Sequence, residues 1–220
     1  MLLFEDRESI VRTCLLHGID NYTINQDSTV DVERGVYLAD RQLTDLPLNF
    51  GKVIGNFHCG HNQLTSLEGS PKIVDGSFFC TDNKLTDLEG SPEDVSLQFD
   101  CSNNELTTLK GSPKIATDFN CRKNKLTSLE FGPEKVYMDY NCTYNTIENF
   151  KGFDTIFGGD FFTNMPFLNQ KNYEYVNTFA NCNIINGYEI RLKRLKYFCN
   201  VMGLKMFTLD DNKFERYSIV

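Results

Sequence analysis

Five cysteines recur at a near-constant interval: Cys59, Cys80, Cys101, Cys121 and Cys142, spaced by 21, 21, 20 and 21 residues. Self-similarity at this period marks a solenoid, whose repeats bury their apolar sides only against their neighbours. The surrounding frame returns with each cysteine. An aromatic stands two residues before it: Phe57, Phe78, Phe99, Phe119 and Tyr140. An asparagine stands three after it: Asn62, Asn83, Asn104, Asn124 and Asn145. Then come Leu64, Leu85, Leu106, Leu126 and Ile147, followed by Leu67, Leu88, Leu109, Leu129 and Phe150. Val53, Val74, Val95, Ile115 and Val136 precede the aromatics by four residues. Gly-Ser-Pro turns fall at 69–71, 90–92 and 111–113. Gly132-Pro133 reads as a shortened fourth turn that accounts for the single 20-residue spacing.

Written out, the frame is Φ-x-C-x-x-N-x-L-x-x-L. It resembles the leucine-rich-repeat core L-x-L-x-x-N-x-L, with an aromatic and a cysteine in the first two leucine places. The resemblance implies an α/β leucine-rich-repeat solenoid with a parallel β-sheet. Residues two apart on a strand share a face. The aromatic and cysteine columns should therefore line the interior as ladders, and the asparagine amide should bond backbone in its own coil and the next. Val36-Tyr37-Leu38 keeps the frame 21 residues ahead of Phe57, with Arg41 in the asparagine place. Phe161-Phe162-Thr163 to Leu168 keeps it at the other end. About seven coils are expected over 36–168.

Residues 1–35 read as an N-terminal cap. A helix is expected over 5–17, with Ile10, Val11, Cys14 and Leu15 on one face and Gly18 as its stop. A hairpin follows, from Tyr22-Thr23-Ile24 to Thr29-Val30-Asp31-Val32. Residues 169–220 read as a C-terminal helical and hairpin cap. Its clearest helix is expected from Gly187 to Met202, with Asn186 and Glu189 as a capping box and Gly203 as the stop. The tail, from Lys205 to Val220, reads as a second hairpin.

The chain has 220 residues, a formal net charge of −8 and a pI near 4.9. Such a surface repels phosphate backbones and suits a basic partner, so no nucleic acid is expected. No window approaches 18 apolar residues, which argues against a membrane partner. The apolar run Met1-Leu2-Leu3-Phe4 turns charged at Glu5, too early for a secretion signal. A cytoplasmic protein is expected, and of its eight cysteines the five that recur in register read as reduced core thiols.

No catalytic or metal-binding arrangement is expected. A straight line of thiols does not supply zinc's tetrahedron. His58-Cys59-Gly60-His61 places His58 outward and Cys59 inward, so the two cannot share a metal. Cys182 and Cys199 have no histidine nearby in sequence to act as base. Arg191, Lys193, Arg194 and Lys196 form a basic stretch that reads as a solvated helix face. No cofactor is expected, and the chain reads as a non-enzyme.

The outward side of the strands is the candidate partner-binding face. It collects His58, His61, Phe79, Asp82, Asp100, Asn103, Asp118, Asn120, Arg122, Asp139, Asn141 and Tyr144. These positions vary while the inner columns do not, as a repeat scaffold that presents a recognition surface requires. Phe79 and Tyr144 stand out as aromatic anchors.

The run Asn21-Tyr22-Thr23-Ile24-Asn25, Val30-Asp31-Val32 and Leu43-Thr44-Asp45-Leu46-Pro47 precedes the Cys-x-x-Asn-x-Leu-Thr coils. Together with Arg191 to Phe198 it resembles leucine-rich-repeat proteins of large tailed bacteriophages. The resemblance implies a protein-binding scaffold in the cytoplasm of an infected bacterium. Its partner would be a host protein of defence or metabolism that it inhibits. A virion or assembly component is the alternative, and an enzyme acting through the C-terminal cap a more remote one. A looser likeness to leucine-rich-repeat effectors with a ubiquitin-ligase domain fails, because the chain has no room for that domain.

Overall fold

The computed structural model describes residues 4–147, 155–157, 161–162, 185–186, 189–190 and 218–219. The chain winds into a parallel-sheet solenoid of about five turns with little helix. The repeat predicts one strand per coil, but the structure has two. One sheet stacks Phe57–His58, Phe78–Phe79, Gln98–Asp100, Asp118–Asn120 and Tyr140–Asn141, with Val36–Tyr37 and Phe161–Phe162 at its ends. We call it the ring sheet. The other, the valine sheet, runs through Phe50–Val53, Ile73–Val74, Asp94–Val95, Ile115–Ala116, Lys135–Val136 and Ile156–Phe157. The repeat does not reveal it because most of its strands carry a single buried residue, such as Val74, Val95, Ala116 or Val136, and so show no alternation.

The ring sheet carries the aromatic ladder inside. Phe57 stacks on Phe78 at 5.4 Å, Phe78 on Phe99 at 5.3 Å and Phe99 on Phe119 at 5.6 Å, with ring planes within 10°. In-register parallel strands put identical residues one strand spacing apart, and offset rings fit that spacing. Tyr140 follows Phe119 with its ring tilted by 45°. All five cysteines of the ladder are buried, as are the leucines of the two inner columns from Leu64 and Leu67 to Leu126 and Leu129. Coil joins coil through bonds such as Phe57 N–H to Ser77 O at 2.8 Å and Cys59 N–H to Phe79 O at 2.8 Å.

The asparagine column closes the turn side. Asn104 donates to the carbonyls of Cys80, Cys101 and Ser102, and accepts from the Leu85 N–H. Each amide therefore reaches back to the preceding coil, not forward to the next as expected. Asn62 bonds Leu38 and the N–H groups of Arg41 and Leu43 in the same way. The first coil needs no asparagine of its own because the second supplies it.

Two further expectations are corrected. The fourth turn is not shortened: Phe131 takes the place of Gly69, Gly90 and Gly111, and shares their left-handed backbone at φ 65°. The missing residue lies instead at the corner between the two sheets. Ala116 pairs with Val136 and is buried, while Ile115 faces outward. Ala116 is three residues from its aromatic, where the other coils have four.

The helix Phe4–His17 forms as expected, and Gly18 ends it at φ 66° with Ile19 N–H bonded to Cys14 O. Its inner stripe is narrower than expected. Ile10 and Cys14 pack inward, but Val11 is exposed and Leu15 is 82% exposed. The hairpin Tyr22–Ile24 with Val30–Val32 also forms, and its second strand pairs with Phe50–Val53. It thus covers the first edge of the valine sheet and leaves the ring sheet to begin at Val36–Tyr37.

At the C-terminal end, Ile185–Asn186 pairs antiparallel with Glu189–Ile190, which pairs parallel with Ser218–Ile219. Asn186 opposite Glu189 is a strand pairing, so the expected capping box does not form there. A two-residue separation suits a hairpin as well as a helix start. The rest of the expected C-terminal cap lies outside the described residues, as do Phe150, Thr163, Leu168, Cys182, Cys199 and the basic stretch 191–198.

Candidate binding face

The outward column of the ring sheet runs Tyr37, His58, Phe79, Asp100, Asn120, Asn141, in register. It divides into two halves of different chemistry. In the C-terminal half the side chains serve the backbone. Asp100 accepts from the Ser102 N–H at 2.9 Å, Asn120 from the Arg122 N–H at 3.2 Å and Asn141 from the Thr143 N–H at 3.1 Å. A short polar side chain bonding two residues on is what turns the chain out of a strand. Asn120 also donates to Asp100 at 2.9 Å.

The N-terminal half has no such task. Tyr37 stacks on His58 at 4.9 Å and 20°, and His58 on Phe79 at 4.5 Å and 23°. The result is a second ladder of three rings on the outside of the sheet, opposite the buried phenylalanines. Packing between the rings withdraws His58 from water and lowers its pKa below the ordinary histidine value. Tyr37 remains 61% exposed. The Tyr37 ring lies back over Gly35, where any Cβ would come within 3.0 Å of it.

Two flanking columns and Arg122 make up the rest of the expected face. His61, Asp82, Asn103, Lys123 and Tyr144 form one corner per coil, all left-handed with φ between 54° and 57°. Asp and Asn tolerate that backbone best among residues with a side chain. Asp82 joins this corner together, accepting from Asn103 and lying 3.6 Å from the His61 Nδ1. At the far end the Arg122 guanidinium sits over the Tyr144 ring at 5.4 Å. On the other flank, Asp118 accepts the Asp139 N–H at 3.1 Å. That bond ties two coils at the corner between the sheets and sets Asp118 to a backbone task.

The expected face is therefore contiguous, but its residues are not equivalent. His58 and Phe79 are presented, whereas Asp100, Asn120 and Asn141 hold turns and Asp118 ties two coils. Tyr37 was missed. Its signal was present, because Val36-Tyr37-Leu38 aligned at an offset of 21 puts Tyr37 in the His58 column.

Among the described residues, no three His, Cys, Asp or Glu side chains gather as a metal site, and no helix is long and apolar enough to cross a membrane. The fold and face together define a parallel-sheet solenoid with an outward aromatic terrace. No protein-family model, curated protein or solved structure matches the chain.

Proposed function

We propose that this chain is a non-enzymatic, protein-binding scaffold of the leucine-rich-repeat class, with seven coils between its caps. The spacing of the asparagine and leucine columns supports the class, and the seven strands of the ring sheet support the number of coils. The observation that carries the binding reading is the Tyr37–His58–Phe79 stack. Three rings on an outer face, without a backbone task, cost the free protein apolar exposure. A partner that covers them recovers that area, and aromatic side chains dominate such contacts. The proposed partner is a protein of a bacterial host, bound and inhibited in the cytoplasm by a phage-encoded chain. The acidic charge supports a partner with a basic surface and disfavours nucleic acid and anionic membranes.

The test is affinity capture from bacterial lysate, purification of the captured protein and measurement of its affinity. A His58→Ser/Phe79→Ser double variant should bind at least about thirtyfold more weakly, the effect of one hot-spot contact. Equal affinity of a correctly folded double variant would remove the terrace from the reading.

A further inference from the structure

We propose that the terrace receives an arginine side chain of the partner, stacked on the open face of Tyr37. The inference rests on the binding reading above and names the chemistry of its central contact. Tyr37 lies in the end strand of the ring sheet, so no further coil supplies a ring beyond it. One face of its ring meets His58, and the side chain is otherwise largely open to solvent.

Among the described residues, the two other exposed tyrosines each carry a cation. Arg122 lies over Tyr144 at 5.4 Å, and Lys135 Nζ lies over Tyr137 at 4.2 Å. A cation over a ring face is drawn by the negative π surface. No cation of the described residues lies over Tyr37. Arg34 and Arg41 flank Tyr37 in sequence, and Arg41 is held by the helix cap, with its guanidinium on the His17 carbonyl at 3.2 Å.

The surrounding charge suits an incoming cation. The three columns of the face carry Asp40, Asp82 and Asp100 in the first four coils, and no Lys or Arg. Asp82 and Asp100 are engaged by Asn103 and Asn120. Asp40 is exposed at the corner three residues after Tyr37, and its carboxylate has no partner among the described residues. His58 is largely neutral at pH 7, so the stack itself does not repel a cation. Arginine fits better than lysine. Its planar guanidinium lies flat on a ring while its edge bonds a carboxylate with two parallel N–H groups.

The experiment follows ring resonances of Tyr37 and His58 in the full chain while short peptides are added. The probes are acetyl-Gly-Arg-Gly amide, its lysine counterpart, and its citrulline counterpart, which keeps the shape but not the charge. The arginine peptide should shift both rings saturably. Lysine should bind at least about threefold more weakly, and citrulline should give no saturable shift. Tyr37→Leu should abolish the arginine response with an unchanged melting temperature, and Asp40→Asn should weaken it. Equal binding of citrulline, an undiminished response in Tyr37→Leu, or no response to arginine would overturn the inference. If a captured protein needs His58 and Phe79 while the arginine peptide gives nothing, only this inference fails. If the peptide saturates Tyr37 but no captured protein needs the terrace, the scaffold reading fails and the arginine site stands.

Discussion

The amide of Asn83 donates to the carbonyl of Cys59, 24 residues earlier, at 3.0 Å. The same nitrogen donates to Cys80 and Thr81 of its own coil, and its oxygen accepts the Leu64 N–H. One side chain thus ties two coils on the side where no sheet does so. The periodic asparagine is there because a solenoid turn leaves carbonyls pointing inward, and buried carbonyls need donors.

Replacing Asn83 should cost far more than a surface asparagine does. Asn83→Ala leaves a buried N–H and several carbonyls short, for about 3–4 kcal/mol by the ordinary cost of unsatisfied groups. Asn83→Asp keeps the shape but loses both donors and buries a charge, so it should be at least as damaging at pH 7. Urea unfolding of both variants checks this. A loss below about 1 kcal/mol in each would mean the turn does not depend on the amide.

Alkaline pH should unfold the protein early. Burial pushes the Cys59, Cys80, Cys101 and Cys121 thiols well above their ordinary pKa. Unfolded thiols ionise near pH 8.5, while the native ones stay protonated. The stability they confer is complete below that pH and falls as pH rises toward the native values, by about 1.4 kcal/mol per pH unit for each thiol. Urea midpoints at pH 7, 9 and 10 with reductant present measure the fall, and Cys101→Ala should make it shallower. Native protein should also resist thiol reagents at pH 8 and react only on unfolding.

Phe131 and Gly111 predict opposite outcomes at equivalent places in two turns. Phe131 holds φ 65° and is 58% exposed, so its ring is barely packed. A left-handed backbone costs a residue with a Cβ about 1–2 kcal/mol. Phe131→Gly should therefore stabilise by up to about 1 kcal/mol. At Gly111, φ is 88° and a Cβ would meet the Leu88 carbonyl at 2.3 Å. Gly111→Ala should lower the melting temperature by several degrees, because backbone must move to admit the methyl. Thermal melts of the pair distinguish the two turns.

His58 should titrate below the ordinary histidine pKa of about 6.5, because its ring is packed between two others. A depressed pKa favours the native state above the unfolded value and withdraws that support as pH falls. Following the His58 ring resonance between pH 4 and 8 gives the midpoint directly. Phe79→Ser opens one ring face to water and should bring that midpoint back toward the ordinary value.

Much of the inner architecture was readable in the repeat, because burial punishes change at a fixed column. Phe78 and Cys80 are two apart, and both are fully buried. Ile115 shows the limit of that reasoning. Counting four back from Phe119 chose it for the core, but the corner is one residue shorter there and Ala116 goes in instead. Periodicity assumes that a deletion falls in the turn that looks irregular. Backbone hydrogen bonding placed it elsewhere, with Thr117 N–H bonded to Leu97 O and Met138 N–H to Thr117 O.

The amino-acid sequence alone determined the period, the inward columns and the existence of an outward face, since those follow from alternation along a strand and from the cost of wetting Phe, Cys and Leu. Only the tertiary structure decided that each coil has two strands and which outward residues are presented. Asp100, Asn120 and Asn141 occupy the same column as His58 and Phe79 and look equally available in the sequence. Their carboxylate and amide oxygens are taken by N–H groups two residues on. Phe79 has no acceptor to offer the backbone, and Tyr37 and His58 stack with it in the open.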